Sequence, residues 1–116
     1  MITCQIRYEI DLDKIAAFEQ YARSWMVLIE KYGGVHHGYF VPAKEPPATT
    51  FSFPGLGSDG PRNIAIALFS FPTVEAYESY RENVAKDPDC DAATKRFQQS
   101  RPFLSYERLF LEPVVR

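Results

Sequence analysis

The stretch "NIAIALFSF", residues 63–71, is apolar in both registers of a period-two pattern. Ile64, Ile66 and Leu68 fall on one side of an extended chain, and Ala65, Ala67, Phe69 and Phe71 fall on the other. Successive strand side chains point to opposite faces, so the segment predicts a central strand that needs cover on both. Helices packed on a sheet cover one face. The other needs a second layer, and a second copy of the same sheet is the simplest one.

Downstream, "PTVEAYESYRENVAK" (72–86) predicts a helix, with Thr73 as N-cap and Glu75 in the first turn. Val74, Tyr77, Arg81 and Val84 fall on or near its inner stripe. "DPDCDAATKRFQQS" (87–100) restarts the helix: Asp87 caps, Pro88 takes the first helical position, and Ala93 and Phe97 turn inward. "PFLSYERLFLEP" (102–113) predicts a last strand, ended by Pro113.

Upstream, residues 42–61 hold five prolines and three glycines, which admits no helix and no long strand. A loop this long in a compact domain points to a lid or a partner contact. Before it, "VHHGYFV" (35–41) is aromatic and β-branched and predicts a strand closed by Pro42. Ile15, Phe18, Ala22, Trp25, Leu28 or Ile29, and Tyr32 recur at helical spacing. They predict an amphipathic helix of about five turns, capped at Asp11 or Asp13 and ended by Gly33 and Gly34. Residues 2–10 alternate, with Ile2, Cys4, Ile6, Tyr8 and Ile10 on one face and Thr3, Gln5, Arg7 and Glu9 on the other.

The order is β-α-β-β-α-(α)-β over one domain, residues 1–116. It predicts an α+β, ferredoxin-like fold, a four-stranded antiparallel sheet with helices on one face. Two such sheets packed face to face make a two-fold dimer, so a homodimer is expected. The polar row of the first strand is then expected to line a cavity between the two sheets, open to a small-molecule ligand.

Composition narrows the partners. The chain carries 13 basic and 15 acidic residues, a net charge of −2, with no run of either sign. That gives no electrostatic case for nucleic acid or an anionic membrane. No apolar stretch approaches the roughly 20 residues of a membrane span, and "MITCQIRYEI" reads as a strand rather than a signal peptide. Cys4 and Cys90 stand far apart and lack zinc spacing, so thiols in a reducing cytoplasm are expected. No cofactor motif is present: "GLGSDG" follows no strand, and Ser100 and Ser105 have no histidine at useful spacing.

Candidate site residues follow from the faces. Arg7 is either a partner for Glu9 or Glu107 or a clamp for an anionic or carbonyl-bearing ligand. Arg81 packs its stem on the sheet or lines a pocket. Tyr8, Tyr39 and Tyr106 read as core or cavity wall, and Trp25 as core or a residue that orients a substrate. The histidine pair in "GGVHHGYFVP" (33–42) splits across the strand. Regular alternation puts His36 with Gly38 and Phe40, and His37 with Val35, Tyr39 and Val41. One metal ion cannot take both, and no metal site is expected. At most one faces a cavity as acid or base, and His37, sharing a face with Tyr39, leads over His36. The expected catalytic set is Arg7, His37 and His36. The expected cavity wall is Tyr39, Tyr106, Trp25 and Arg81.

Three stretches together resemble the NIPSNAP family: "GGVHHGYFVP", "IALFSFPTVEAYESYR" and "SYERLFLEP". "QIRYEI" is similar to that family's opening strand, with Arg7 matching its arginine. The resemblance covers nearly the whole chain apart from the 43–61 loop. It implies a dimeric α/β barrel, a fold shared with cofactor-free quinol-type monooxygenases, haem-degrading enzymes and small-molecule isomerases. It implies no settled catalytic residues, and animal members are associated with mitochondria and protein partners. Two functions stand beside each other. One is a cofactor-independent oxygenase or related enzyme acting on a small aromatic or hydrophobic molecule; it needs a sizeable cavity reached by Arg7 and a histidine. A haem ligated by that histidine is a minor variant. The other is a non-enzymatic interaction module with a filled barrel, whose Phe51, Phe53 and Leu56 are exposed or buried in the dimer contact.

Overall fold

The computed structural model describes all residues, 1–116. In chain order the elements are β1 (Ile2–Ile10), a 3-10 turn (Leu12–Lys14), α1 (Ile15–Lys31), β2 (Val35–Phe40), β3 (Ile64–Phe71), α2 (Val74–Val84), α3 (Pro88–Ser100) and β4 (Phe103–Leu111). The strands form one sheet in the order β2-β3-β1-β4, and every pair is antiparallel. This is the ferredoxin-like α+β arrangement. No helix is long and apolar enough to cross a membrane.

Thr73 Oγ1 accepts from Ala76 N, and Asp87 caps α3 with Pro88 in its first turn. Asp11 departs from expectation. Its carboxylate accepts from Asp13 N and closes the 3-10 turn, so α1 starts at Ile15 without a side-chain cap. On α2 the buried stripe runs through Tyr80 and Val84, while Val74, in the first turn, is exposed.

The register assigns the faces. Cys4, Ile6 and Tyr8 of β1 pair with Phe69, Ala67 and Ala65 of β3 and lie under the helices. Phe18, Ala22, Leu28 and Ile29 of α1 bury against them. Each large side chain fully buried there contributes roughly 1.5–3 kcal/mol. Thr3, Gln5, Arg7 and Glu9 pair with Ser70, Leu68, Ile66 and Ile64 on the opposite, uncovered face. Only 19 of 116 residues are buried. The Cα radius of gyration is 15.9 Å, against about 13 Å for a compact chain of this length. Residues 43–62 are exposed throughout, as is β4 beyond Phe103.

One polar contact ties the helices together. The nearly buried Asp87, at the α2–α3 junction, accepts from Lys31 Nζ at 2.6 Å and Tyr32 Oη at 2.5 Å, at the end of α1, and from Asp89 N. Lys31 and Tyr32 hold its carboxyl down from 3.8 to about 2. A carboxylate with a depressed folded pKa stabilises the fold above its unfolded pKa and stops doing so as pH falls. Between about pH 4 and pH 2, melting temperature should therefore drop, followed by circular dichroism. Asp87→Asn should melt several degrees lower at pH 7 and lose less on acidification. Superposable pH profiles for the two proteins would contradict the assignment.

Candidate functional site

A cavity of about 560 Å³ lies between the helix-facing side of the sheet and the helices, open along β4. Tyr21 and Trp25 reach it from successive turns of α1, and Tyr39 enters from β2. In β4, Tyr106 and Arg108 lie opposite Tyr8 and Ile6 of β1 and point the same way. Phe97 of α3 stacks on Phe103 with ring centroids 4.5 Å apart, and Phe103 meets Tyr21 edge-on at 5.2 Å. The wall is thus a continuous aromatic surface, 13 of its 18 residues being hydrophobic.

Its polar groups are donors. Burial pushes the Tyr8 and Tyr39 phenols well up, with neighbouring phenols adding to it, and burial raises Tyr21 to about 12. These hydroxyls stay neutral near pH 7 and act as hydrogen-bond partners, not bases. The Trp25 Nε1–H is buried without a partner. It lies toward the Tyr21 hydroxyl, which it helps to hold down against the larger effect of burial. No Asp, Glu or His lines the cavity, whereas Arg81, Arg101 and Arg108 do. Arg108 Nη1 donates to Tyr77 Oη at 3.3 Å, and its guanidinium lies 4.8 Å over the Phe110 ring.

The residues expected from sequence separate into two groups. Tyr39, Tyr106, Trp25 and Arg81 all line this cavity. It lies within the chain, between sheet and helices, whereas the polar row of β1 lies on the opposite face of the sheet. Arg7, His36 and His37 lie outside it. Arg7 pairs with Glu107 at 3.2 Å on the uncovered face, beside a second depression of about 360 Å³. That pair is half-exposed, and such contacts contribute about 1 kcal/mol or less.

The histidines depart from regular alternation. Between His36 and Gly38 the β2–β3 register shifts, so that His37 is an extra residue. His36 stands opposite Phe69 and shares the helix face with Tyr39; its Nε2 lies 2.8 Å from Glu30 Oε1. His37 turns to the uncovered face, with Val35 and Phe40. Its Nε2 lies 2.7 Å from Ser70 Oγ, itself 2.8 Å from Thr3 Oγ1, forming a chain across three strands. The expected grouping of His37 with Tyr39 is thereby reversed. No histidine is aimed into the cavity to ligate a haem, and no cluster of His, Cys, Asp or Glu could hold a metal ion. Sequence reading did not single out Tyr21, Arg101 or Arg108. Alternation in "YERLF" carried a signal for Arg108, but nothing marked Arg101, which ends α3 in the left-handed region at φ 44°.

The NIPSNAP family pattern matches residues 5–115. The chain belongs to the NIPSNAP family. A NIPSNAP domain protein from Burkholderia xenovorans is 19% identical, superposing with a TM-score of 0.72 over 98% of this chain and 95% of that one. A NIPSNAP family protein from Agrobacterium tumefaciens is also 19% identical, with a TM-score of 0.72 over 97% and 92%. An antibiotic biosynthesis monooxygenase is 10% identical, with a TM-score of 0.56 over 99% and 100%. A search of curated proteins returns no relative. At these identities the likeness establishes the fold, and the chemistry of this NIPSNAP protein has to be argued from its own side chains.

The bulge depends on Gly38, at φ +129°, where an added Cβ would meet the Phe40 ring at 3.0 Å. Gly38→Ala is expected to cost about 1–3 kcal/mol, measured by urea unfolding. An unchanged midpoint would show that the bulge does not need the glycine.

Proposed function

We propose that this NIPSNAP protein is a homodimer that holds a small aromatic molecule in the cavity of each protomer and oxidises it with dioxygen, without a bound cofactor. The observation that carries the reading is the aromatic cavity of about 560 Å³. Its size falls in the range of small-molecule sites. The neutral Tyr21 and Tyr39 phenols would hydrogen-bond the substrate's oxygens, with the Trp25 indole packed against its ring. The positive field of the arginines in the wall would favour ionisation of the substrate. The wall offers no carboxylate or imidazole as base, so the substrate must be one that ionises readily. The likeness to an antibiotic biosynthesis monooxygenase adds support at the level of fold only.

The electrons would come from the substrate. With anthrone as probe, the ring methylene becomes a carbonyl, one dioxygen atom enters the product, and the other leaves as water with the two hydrogens. Dioxygen uptake with anthrone should exceed the protein-free rate, and heavy oxygen should appear in the anthraquinone. Trp25→Phe and Tyr39→Phe should each slow it about tenfold or more, with the fold checked by circular dichroism. Arg7→Ala and His37→Ala, outside the cavity, should leave it within about twofold. Uptake no faster than without protein would refute the oxygenase reading.

The homodimer draws support from the uncovered sheet face, where Val35, Phe40 and Leu109 are each more than half exposed beside Ile66 and Leu68. Light scattering should give twice the chain mass at micromolar concentration, and a monomer would rule out the paired sheets. The free thiols of Cys4 and Cys90 support a reducing compartment such as the cytoplasm. The interaction-module reading rests on the loop, where Phe53 and Leu56 are largely exposed. The open cavity favours the ligand-binding reading over it.

A further inference from the structure

We infer that the molecule bound in this cavity is an aromatic carboxylate, its ring between Tyr21, Trp25 and Phe97 and its carboxylate held at the mouth by Arg81 and Arg108. The inference rests on the cavity being a ligand site, as proposed above, and names the chemical class it selects.

Charge is the first argument. The wall contains three arginines and no carboxylate, in a chain whose net charge is −2. Arg7, Lys14, Arg23, Lys31 and Lys95 each have an acidic partner within 4.0 Å. Arg81, Arg101 and Arg108 are among the eight of 13 basic residues without one, and all three line the same cavity. Cations in the wall with no carboxylate among them give an apolar chamber a positive field. Such a site favours an anion and focuses the field on it.

Pre-positioning is the second. The Arg108 guanidinium is held by the Tyr77 hydroxyl and by the face of Phe110, and neither contact neutralises it. A planar guanidinium presents a fork of donors that matches a carboxylate. Arg81 and Arg108 both lower the Cys4 thiol against the stronger effect of its burial. Both cations therefore overhang the same end of β1. Arg101 enters the wall beside Phe103, at the start of β4, and adds to the field there.

The chamber itself is divided. Its interior presents rings and neutral hydroxyls, whereas Arg81, Arg101 and Arg108 are exposed to solvent. An aromatic acid has the same division, an apolar ring system and one charged end. A neutral aromatic would leave the cations to water, and a small inorganic anion would leave the rings unfilled.

The test compares 2-naphthoate with its neutral methyl ester by isothermal titration calorimetry at pH 7 and low salt. The wild type should bind the acid at least about tenfold more tightly than the ester. That advantage should shrink as salt rises. In Arg81→Gln/Arg108→Gln the preference should vanish while ester binding stays unchanged. Each single variant should lose part of it. The substituted side chains are exposed, and circular dichroism verifies the fold. Equal affinity of the wild type for acid and ester would overturn the carboxylate assignment and leave the cavity reading standing. A preference that survives in the double variant would overturn the assignment to these two arginines. Binding of neither probe would overturn the cavity reading and this inference with it.

Discussion

The central strand β3 has to bury both of its faces, and three helices cover only one. On the covered side, Ala65 and Ala67 keep the strand low, so that Phe18, Tyr8 and Tyr39 pack over it. On the other side, Ile64, Ile66 and Leu68 form an apolar row with Ser70 at its end. Ser70 is the polar exception, and its hydroxyl meets both His37 and Thr3. The same shortage of cover shapes the edge of the sheet. Strand β4 beyond Phe103 is exposed, and the layers part beside it to leave the cavity.

Burial has left that cavity with an unusual set of polar groups. Its tyrosines are kept neutral because a phenolate there would be poorly solvated. Its cations sit at the mouth, where water still reaches them. The chamber can therefore orient a ligand by hydrogen bonds and attract one by charge, but it brings no group of its own to remove a proton. That combination suits binding, or chemistry in which the substrate supplies the reactive electrons.

Much of the fold was legible residue by residue. Thr73 and Asp87 marked helix starts, Gly33 marked the end of α1, and the alternation of β1 told its two faces apart. The candidate site was legible in part. Tyr39, Tyr106, Trp25 and Arg81 were singled out from their types and periodicity, and all four line the cavity. The histidines were not placed correctly. Counting alternate residues fails once one extra residue enters the strand, and the bulge at His37 and Gly38 reverses the faces that follow. Asp11 or Asp13 was read as the cap of α1, but Asp11 spends its carboxylate on the preceding 3-10 turn and α1 starts without a side-chain cap.

The sequence by itself determined what is local: the periods, the caps, the Pro-rich break at 42–61, and a family pattern spanning nearly the whole chain. These depend on neighbours within a few residues, so they can be read along the chain. Only the tertiary structure decided where the cavity lies and which charged side chains meet there. Arg81, Arg101 and Arg108 come from two helical segments and the last strand. What brings them to one cavity wall is the packing of three helices on four strands, which leaves the edge strand uncovered.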